Sequence, residues 1–140
     1  MSLEFIDIHT HIIPRIDDGA QTDQDTLQML QQYVDAGFGK VIATPHAPTV
    51  PTSNYHKDLS RGRKRVTSLL NSSETDVQVL DGTEVRLTPE LNGDSAGLQE
   101  MALAGTKYVL VDFPSGTWPH YAEGVLFRLQ TLGLTPVLAH

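Results

Sequence analysis

Five apolar runs in this chain end in metal-competent side chains, and no other feature limits its fold as tightly. Asp7-Ile8-His9-Thr10-His11, Ala43-Thr44-Pro45-His46, Gly82-Thr83-Glu84, Leu110-Val111-Asp112 and Val137-Leu138-Ala139-His140 share this layout, and together they hold four of the six histidines. Parallel strands joined by helices bring their C-terminal ends to one rim, so residues spread from 9 to 140 would converge there. The pattern predicts a metal site.

Side chains two apart on a strand point to the same face, which places Asp7, His9 and His11 together. Two imidazoles on one face can chelate one ion. Asp7 then reads as a group accepting a ring N–H from one of them, since ligating histidines need such an orienter. The alternatives are a strand-edge or capping carboxylate for Asp7 and a pair of hydrogen-bonded core histidines for His9 and His11.

The chain has no cysteine, so His, Asp and Glu must hold any metal, and an all-nitrogen-and-oxygen site suits manganese, iron or zinc. Its 140 residues predict a single domain, long enough to bury about two-thirds of the unfolded surface. The net charge of −7 argues against nucleic acid as a partner. No apolar run reaches membrane-spanning length and no signal-peptide pattern opens the chain, so cytoplasmic residence without a membrane partner is the expectation.

The periodicity predicts strands over Glu4–His9, Lys40–Thr44, Asp76–Glu84, Lys107–Asp112 and Thr135–His140. Helices are predicted from Asp23 to Ala36, from Asp58 to Leu70, over a short stretch from Ala96 to Ala104, and from Pro119 to a stop at Gly133. The first helix has a capping-box-like start in Thr22 and Asp25, an apolar stripe of Leu27, Leu30, Tyr33 and Val34, and Gly37 just past its end. A long loop is expected between Pro45 and Tyr55. The strand–helix repeat stops in mid-pattern, which predicts an α/β fold built as an incomplete barrel.

The motifs Phe5-Ile6-Asp7-Ile8-His9-Thr10-His11-Ile12-Ile13-Pro14, Ile16-Asp17-Asp18-Gly19-Ala20, Ile42-Ala43-Thr44-Pro45-His46, Gly82-Thr83-Glu84-Val85-Arg86, Tyr108-Val109-Leu110-Val111-Asp112-Phe113-Pro114 and Pro136-Val137-Leu138-Ala139-His140 resemble, in order, those of the PHP (polymerase and histidinol phosphatase) superfamily. The nearest branch is the manganese-dependent protein-tyrosine phosphatases of bacterial capsule and exopolysaccharide loci. The resemblance implies a distorted, TIM-like (β/α)7 barrel, here partial, with about five parallel strands. It implies that His9, His11 and Glu84 hold a first ion, and that Glu84 bridges to a second held by Asp112 and His140. Asp18 and His46 belong to a third. A metal-activated hydroxide would attack phosphorus in line.

The chain departs from the family pattern in two places. Asp112 stands where the capsule phosphatases carry a Glu, one methylene longer. The family's phosphate-gripping arginine and its later Asp-x-His pair have no counterpart here, because His140 is the last residue. Fewer than the family's two to three ions, impaired turnover, and self-association through an unfinished C-terminal edge are the expected consequences.

Other groups invite plainer readings. The run Arg61-Gly62-Arg63-Lys64-Arg65 suits a solvated helix face better than a site for acidic partners. His56 reads as an exposed loop histidine and His120 as structural. Arg86 is a candidate phosphate contact, with a salt bridge to a neighbouring carboxylate the stronger alternative. Trp118 either lines the rim or plugs the barrel end. Met1 to Leu3 precede the start of the resemblance and read as an added extension. The expected activity is hydrolysis of phosphotyrosine on a polysaccharide-assembly tyrosine kinase. A small-phosphomonoester phosphatase of the histidinol phosphate type, and a non-catalytic metal-binding or associating fragment, are the alternatives.

Overall fold

The computed structural model describes residues 5–48, 52–91, 95–113 and 116–140. The expectation for Met1 to Leu3 lies outside them. The chain forms β1 (Phe5–Thr10), α1 (Asp23–Asp35), β2 (Phe38–Ala43), β3 (His46–Ala47), α2 (Ser53–Ser72), β4 (Gln78–Asp81), β5 (Glu84–Arg86), α3 (Ser95–Glu100), a 3-10 turn (Leu103–Gly105), β6 (Tyr108–Asp112), α4 (Ala122–Thr131) and β7 (Thr135–Leu138).

Every strand pairing is parallel, in two sheets ordered β1-β2-β4 and β3-β5-β6-β7. The strand expected over 76–84 is therefore broken in the middle, and the one expected over 40–44 is followed by a second short strand inside the expected loop. Pro45, which has no N–H to give a ladder, separates β2 from β3, and Gly82-Thr83 separates β4 from β5. The halves keep the same neighbour on both sides of the break, since β2 pairs with β4 and β3 with β5. A Cβ on Gly82 would lie 2.8 Å from Cγ2 of Ile42 and 3.0 Å from Cδ2 of Leu103, so the bend needs a glycine there. The result is a mixed α/β structure with strands placed in chain order. Among the described residues the sheets stay open, and no closed barrel forms.

Alternation along the strands sorts the core. Val41 and Ala43 pack with Ile12, Ile13, Leu30, Leu59 and Val66 beneath α1 and α2. Val85, Val109 and Val111 pack with Leu98, Val125 and Leu129 beneath α3 and α4. Ile42, Leu110 and Ala139, on the other face, meet Leu103 of the 3-10 turn in a smaller cluster. That face is only partly covered, and Ile6 and Ile8 of β1 are 53% and 42% exposed.

The first helix carries a complete capping box between Thr22 and Asp25, as its sequence predicts, and Gly37 follows it at φ +82°. Its buried stripe is Thr26 and Leu30, with Val34 turned to solvent. The second helix starts five residues earlier than its apolar spacing suggests. Thr52 caps it by accepting the Tyr55 N–H, so part of the predicted loop is helix. Backbone and side-chain bonds between Thr10 and Thr44 lace the end of β1 to β2 just before the break.

Candidate metal centre

The strand break is what assembles the site. It sets His46 directly opposite Glu84 in the β3–β5 register, while His9 and His11 arrive from β1 and its end, Asp112 from β6, and His140 from beyond β7. Three groups of ligand-type atoms result: His9, His11 and Glu84; His11, Asp18 and His46; and Glu84, Asp112 and His140. All seven residues singled out from the sequence are thus brought together. The imidazoles form a continuous row, with ring centroids 5.1 Å apart for His140 and His9, 5.3 Å for His9 and His11, and 4.6 Å for His11 and His46.

Glu84 is the hub. Its side chain is fully buried, and its Oε2 lies 3.2 Å from His9 Nε2, 3.1 Å from His11 Nε2 and 3.0 Å from His46 Nδ1. None of these approaches makes a hydrogen bond, so Oε2 is a buried oxygen without a hydrogen-bond partner among the described residues. Its Oε1 faces His140 Nε2 at 3.3 Å. Leaving a buried carboxylate oxygen unsatisfied is costly. Lone-pair atoms converging on one point fit a cation between them, and an imidazole and carboxylate set suits a borderline or hard divalent ion.

Asp7 does not orient either imidazole. Its carboxylate accepts the Tyr33 O–H at 2.6 Å and the backbone N–H of His9 at 3.0 Å, because it faces α1 with Val41. The register of β1 shifts between Asp7 and Thr10, which breaks the two-residue alternation that would have put all three side chains on one face. The orienter is Asp17, 2.8 Å from His11 Nδ1. Asp17 also accepts the Gly19 N–H at 2.9 Å and the His46 backbone N–H at 3.0 Å. An Asp two residues before a Gly is a turn signature, the only trace of this role in the sequence.

The Asp17 hydrogen bond dominates the His11 imidazole and raises its pKa, against the opposing pull of burial. For Asp17 itself burial is the largest single influence and pushes upward. The bonds from His11, Gly19 and His46 together outweigh it and hold the carboxyl below its ordinary value.

Arg86 pairs with Asp112 at 3.1 Å, as the salt-bridge alternative expected. The basic run on α2 is largely neutralised by its surroundings: Arg61 pairs with Asp58, Arg63 with Asp81 and Arg65 with Asp23. His56 and His120 are exposed and meet the rings of Tyr55 and Tyr121 edge-on, and His56 lies in α2 and not in the expected loop, because that helix begins at Ser53. Trp118 lies against Phe113 with ring centroids 5.0 Å apart and is itself largely exposed.

Parallel strands that carry imidazoles and carboxylates to one rim, around a buried and unpartnered glutamate oxygen, define an α/β protein with a metal-competent centre. Residues 5–140 match the family model described as "Capsular polysaccharide synthesis, CpsB/CapC". The chain belongs to this family. It is 36% identical over 135 residues to Tyrosine-protein phosphatase YwqE of Bacillus subtilis (strain 168), covering 96% of this chain and 53% of the relative. Putative tyrosine-protein phosphatase CapC of Staphylococcus aureus is 29% identical over 143 residues, covering 96% and 53%. A chain from the crystal structures of YwqE from Bacillus subtilis and CpsB from Streptococcus pneumoniae, described as unique metal-dependent tyrosine phosphatases, superposes with a TM-score of 0.84 at 35% identity. That match covers 97% of this chain and 55% of the solved one. The chain therefore spans about half the length of the relatives it matches. No helix among the described residues is long and apolar enough to cross a membrane.

Proposed function

We propose that this chain supplies the first part of the metal centre of a cytoplasmic phosphatase acting on phosphotyrosine in a protein, the substrate being a tyrosine kinase of polysaccharide assembly. The observation that carries this reading is the unpartnered, buried Oε2 of Glu84 facing three imidazole nitrogens. The names of the similar proteins support the substrate class over a small phosphomonoester.

In this reading His9, His11 and Glu84 hold one ion, Glu84, Asp112 and His140 a second, and Asp18 and His46 belong to a third, with manganese the ion of choice. A bound divalent ion supplies Lewis acidity, activating water and neutralising charge on the phosphoryl group. The chain's own part is to aim the ligands. Glu84 turns one oxygen to His9, His11 and His46 and the other to His140, which suits a carboxylate shared between two positions. Arg86 steadies Asp112 and would touch phosphate only by leaving it.

Each ligand group offers three side chains among the described residues, and lack of one preorganised contact costs on the order of 100- to 1000-fold in rate. Low turnover and incomplete metal loading are expected. Metal analysis after manganese dialysis, beside binding and turnover of a phosphotyrosine peptide, histidinol phosphate and an aryl phosphate, tests both. Uptake of one or two ions with preference for the peptide supports the proposal. No uptake, or preference for histidinol phosphate, refutes it.

A further inference from the structure

We propose that Asp17, which belongs to none of the three ligand groups, is a positioning residue that sets the geometry of both histidine-rich groups at once. This rests on the metal-centre reading above.

The side chain of Asp17 is 5% exposed, and both of its oxygens are engaged. A carboxylate accepts and does not donate, so the contact at 2.8 Å places the proton of the neutral His11 ring on Nδ1. The ring's lone pair is then on Nε2, the atom 3.1 Å from Glu84 Oε2 and 3.3 Å from His9 Nε2. In the other tautomer that lone pair would point at the Asp17 carboxylate and an N–H would occupy the centre. Asp17 therefore selects the ligating nitrogen.

The same oxygen accepts the His46 N–H, at the first residue of β3. His46 in turn sends its ring to Glu84 Oε2 and, through Nε2, to Asp18 Oδ1 at 3.2 Å. Asp18 is the next residue after Asp17. Docking the loop on β3 through Asp17 thus brings Asp18 within reach of His46. From the other side the loop is pressed onto β1, because a Cβ on Gly19 would sit 2.2 Å from the His11 carbonyl oxygen and 2.3 Å from its Cβ. His11 takes part in two of the three ligand groups, so one carboxylate that holds its ring and the His46 backbone ties the two groups together.

Asp7 is the natural control. It too is a hydrogen-bonded carboxylate near His9, but it spends its bonds on Tyr33 and on backbone. The experiment compares wild type, Asp17→Ala, Asp17→Asn and Asp7→Asn by equilibrium binding of Mn²⁺ and by long-range ¹H–¹⁵N spectra of the metal-free histidine rings. Asp17→Ala is expected to bind Mn²⁺ about 10- to 100-fold more weakly and to lose the Nδ1–H signature of His11. Asp17→Asn, whose one oxygen can still serve His11 and His46, is expected to fall between. Asp7→Asn should lose thermal stability with Mn²⁺ affinity kept within about threefold, a change too small for an outer-shell ligand orienter. Wild-type affinity in Asp17→Ala, or equal losses in Asp17→Ala and Asp7→Asn, would overturn the assignment. If the wild type takes up no Mn²⁺ the metal-centre reading fails, and the ring spectra alone decide: an unchanged His11 tautomer in Asp17→Ala overturns the positioning role.

Discussion

Replacing Glu84 by Gln keeps the shape of the hub and removes its charge, and the outcome should reverse sign with metal. The side chain is fully buried, with imidazole nitrogens as its neighbours and no lysine or arginine paired to it among the described residues. At pH 8.5, above the ordinary histidine range, a buried carboxylate without a cation bears several kcal/mol of desolvation. In chelator Glu84→Gln should therefore be as stable as wild type or about 1 to 3 kcal/mol more stable. With metal at about 1,000 times its Kd, wild type gains about 4 kcal/mol. An unfolding entropy of about 2.1 cal/mol/K per residue gives about 0.3 kcal/mol/K for 140 residues, so this gain is a rise of about 14 °C in Tm. Glu84→Gln should show little of it. Thermal unfolding by circular dichroism with chelator and with Mn²⁺ measures both arms. A variant that loses several kcal/mol in chelator yet keeps the Mn²⁺ shift would refute the reasoning, since Glu84 would then be an ordinary buried ion-pair partner.

Gly62→Ala pits two effects against each other. Ala is favoured in a helix by about 1 kcal/mol, but its Cβ would lie 2.3 Å from Cγ2 of fully buried Ile13, and overpacking costs about 1 to 3 kcal/mol. A net loss near 1 kcal/mol in urea unfolding is expected, and a gain would show that Ile13 yields freely. Burial pushes the phenols of Tyr33 and Tyr55 up to about 12, helped at Tyr33 by its bond to Asp7. The folded state then holds these protons more tightly than the unfolded one, so their contribution is present below about pH 10 and lost as pH rises toward 12. An ultraviolet titration should show two late phenols, one of them missing in Tyr33→Phe. Exposed Ile6, Ile8 and Leu138 flank open sheet edges, and light scattering should find dimers or larger species growing with concentration. A strict monomer at high concentration would refute self-association.

What the sequence makes readable is whatever obeys a period. The parallel pairing and six residues of the centre, His9, His11, His46, Glu84, Asp112 and His140, follow from apolar runs ending in His, Asp or Glu, because burial enforces alternation along a strand; the capping box and Gly37 follow from helix-end signals, and Asp18 from the family resemblance alone. Asp7 and Asp17 show where that rule ends. Counting by twos puts Asp7 beside His9 and His11, but the register shift after Asp7 turns it toward Tyr33. The carboxylate that does meet His11 lies six residues further on in a loop, where position depends on hydrogen bonds and not on period. A single strand was expected over 76–84, where local propensity is continuous and only Gly82 marks the bend, and a loop was expected from Pro45 onward, where β3 forms instead.

Those bends show why fold and site cannot be separated in this chain. A strand running straight through Pro45 would carry His46 on in register with the β1-β2-β4 sheet. Broken there, the chain starts a new two-residue strand whose first member faces Glu84, itself the first residue after the bend at Gly82-Thr83. Both breaks are held by close packing of Gly82 against Ile42 and Leu103 and by the Glu84 N–H donating to the Pro45 carbonyl at 3.0 Å. Glu84 is left buried and unsatisfied at that junction, a cost that folding alone gives no reason to bear and that a cation between Glu84 and its three imidazoles would relieve.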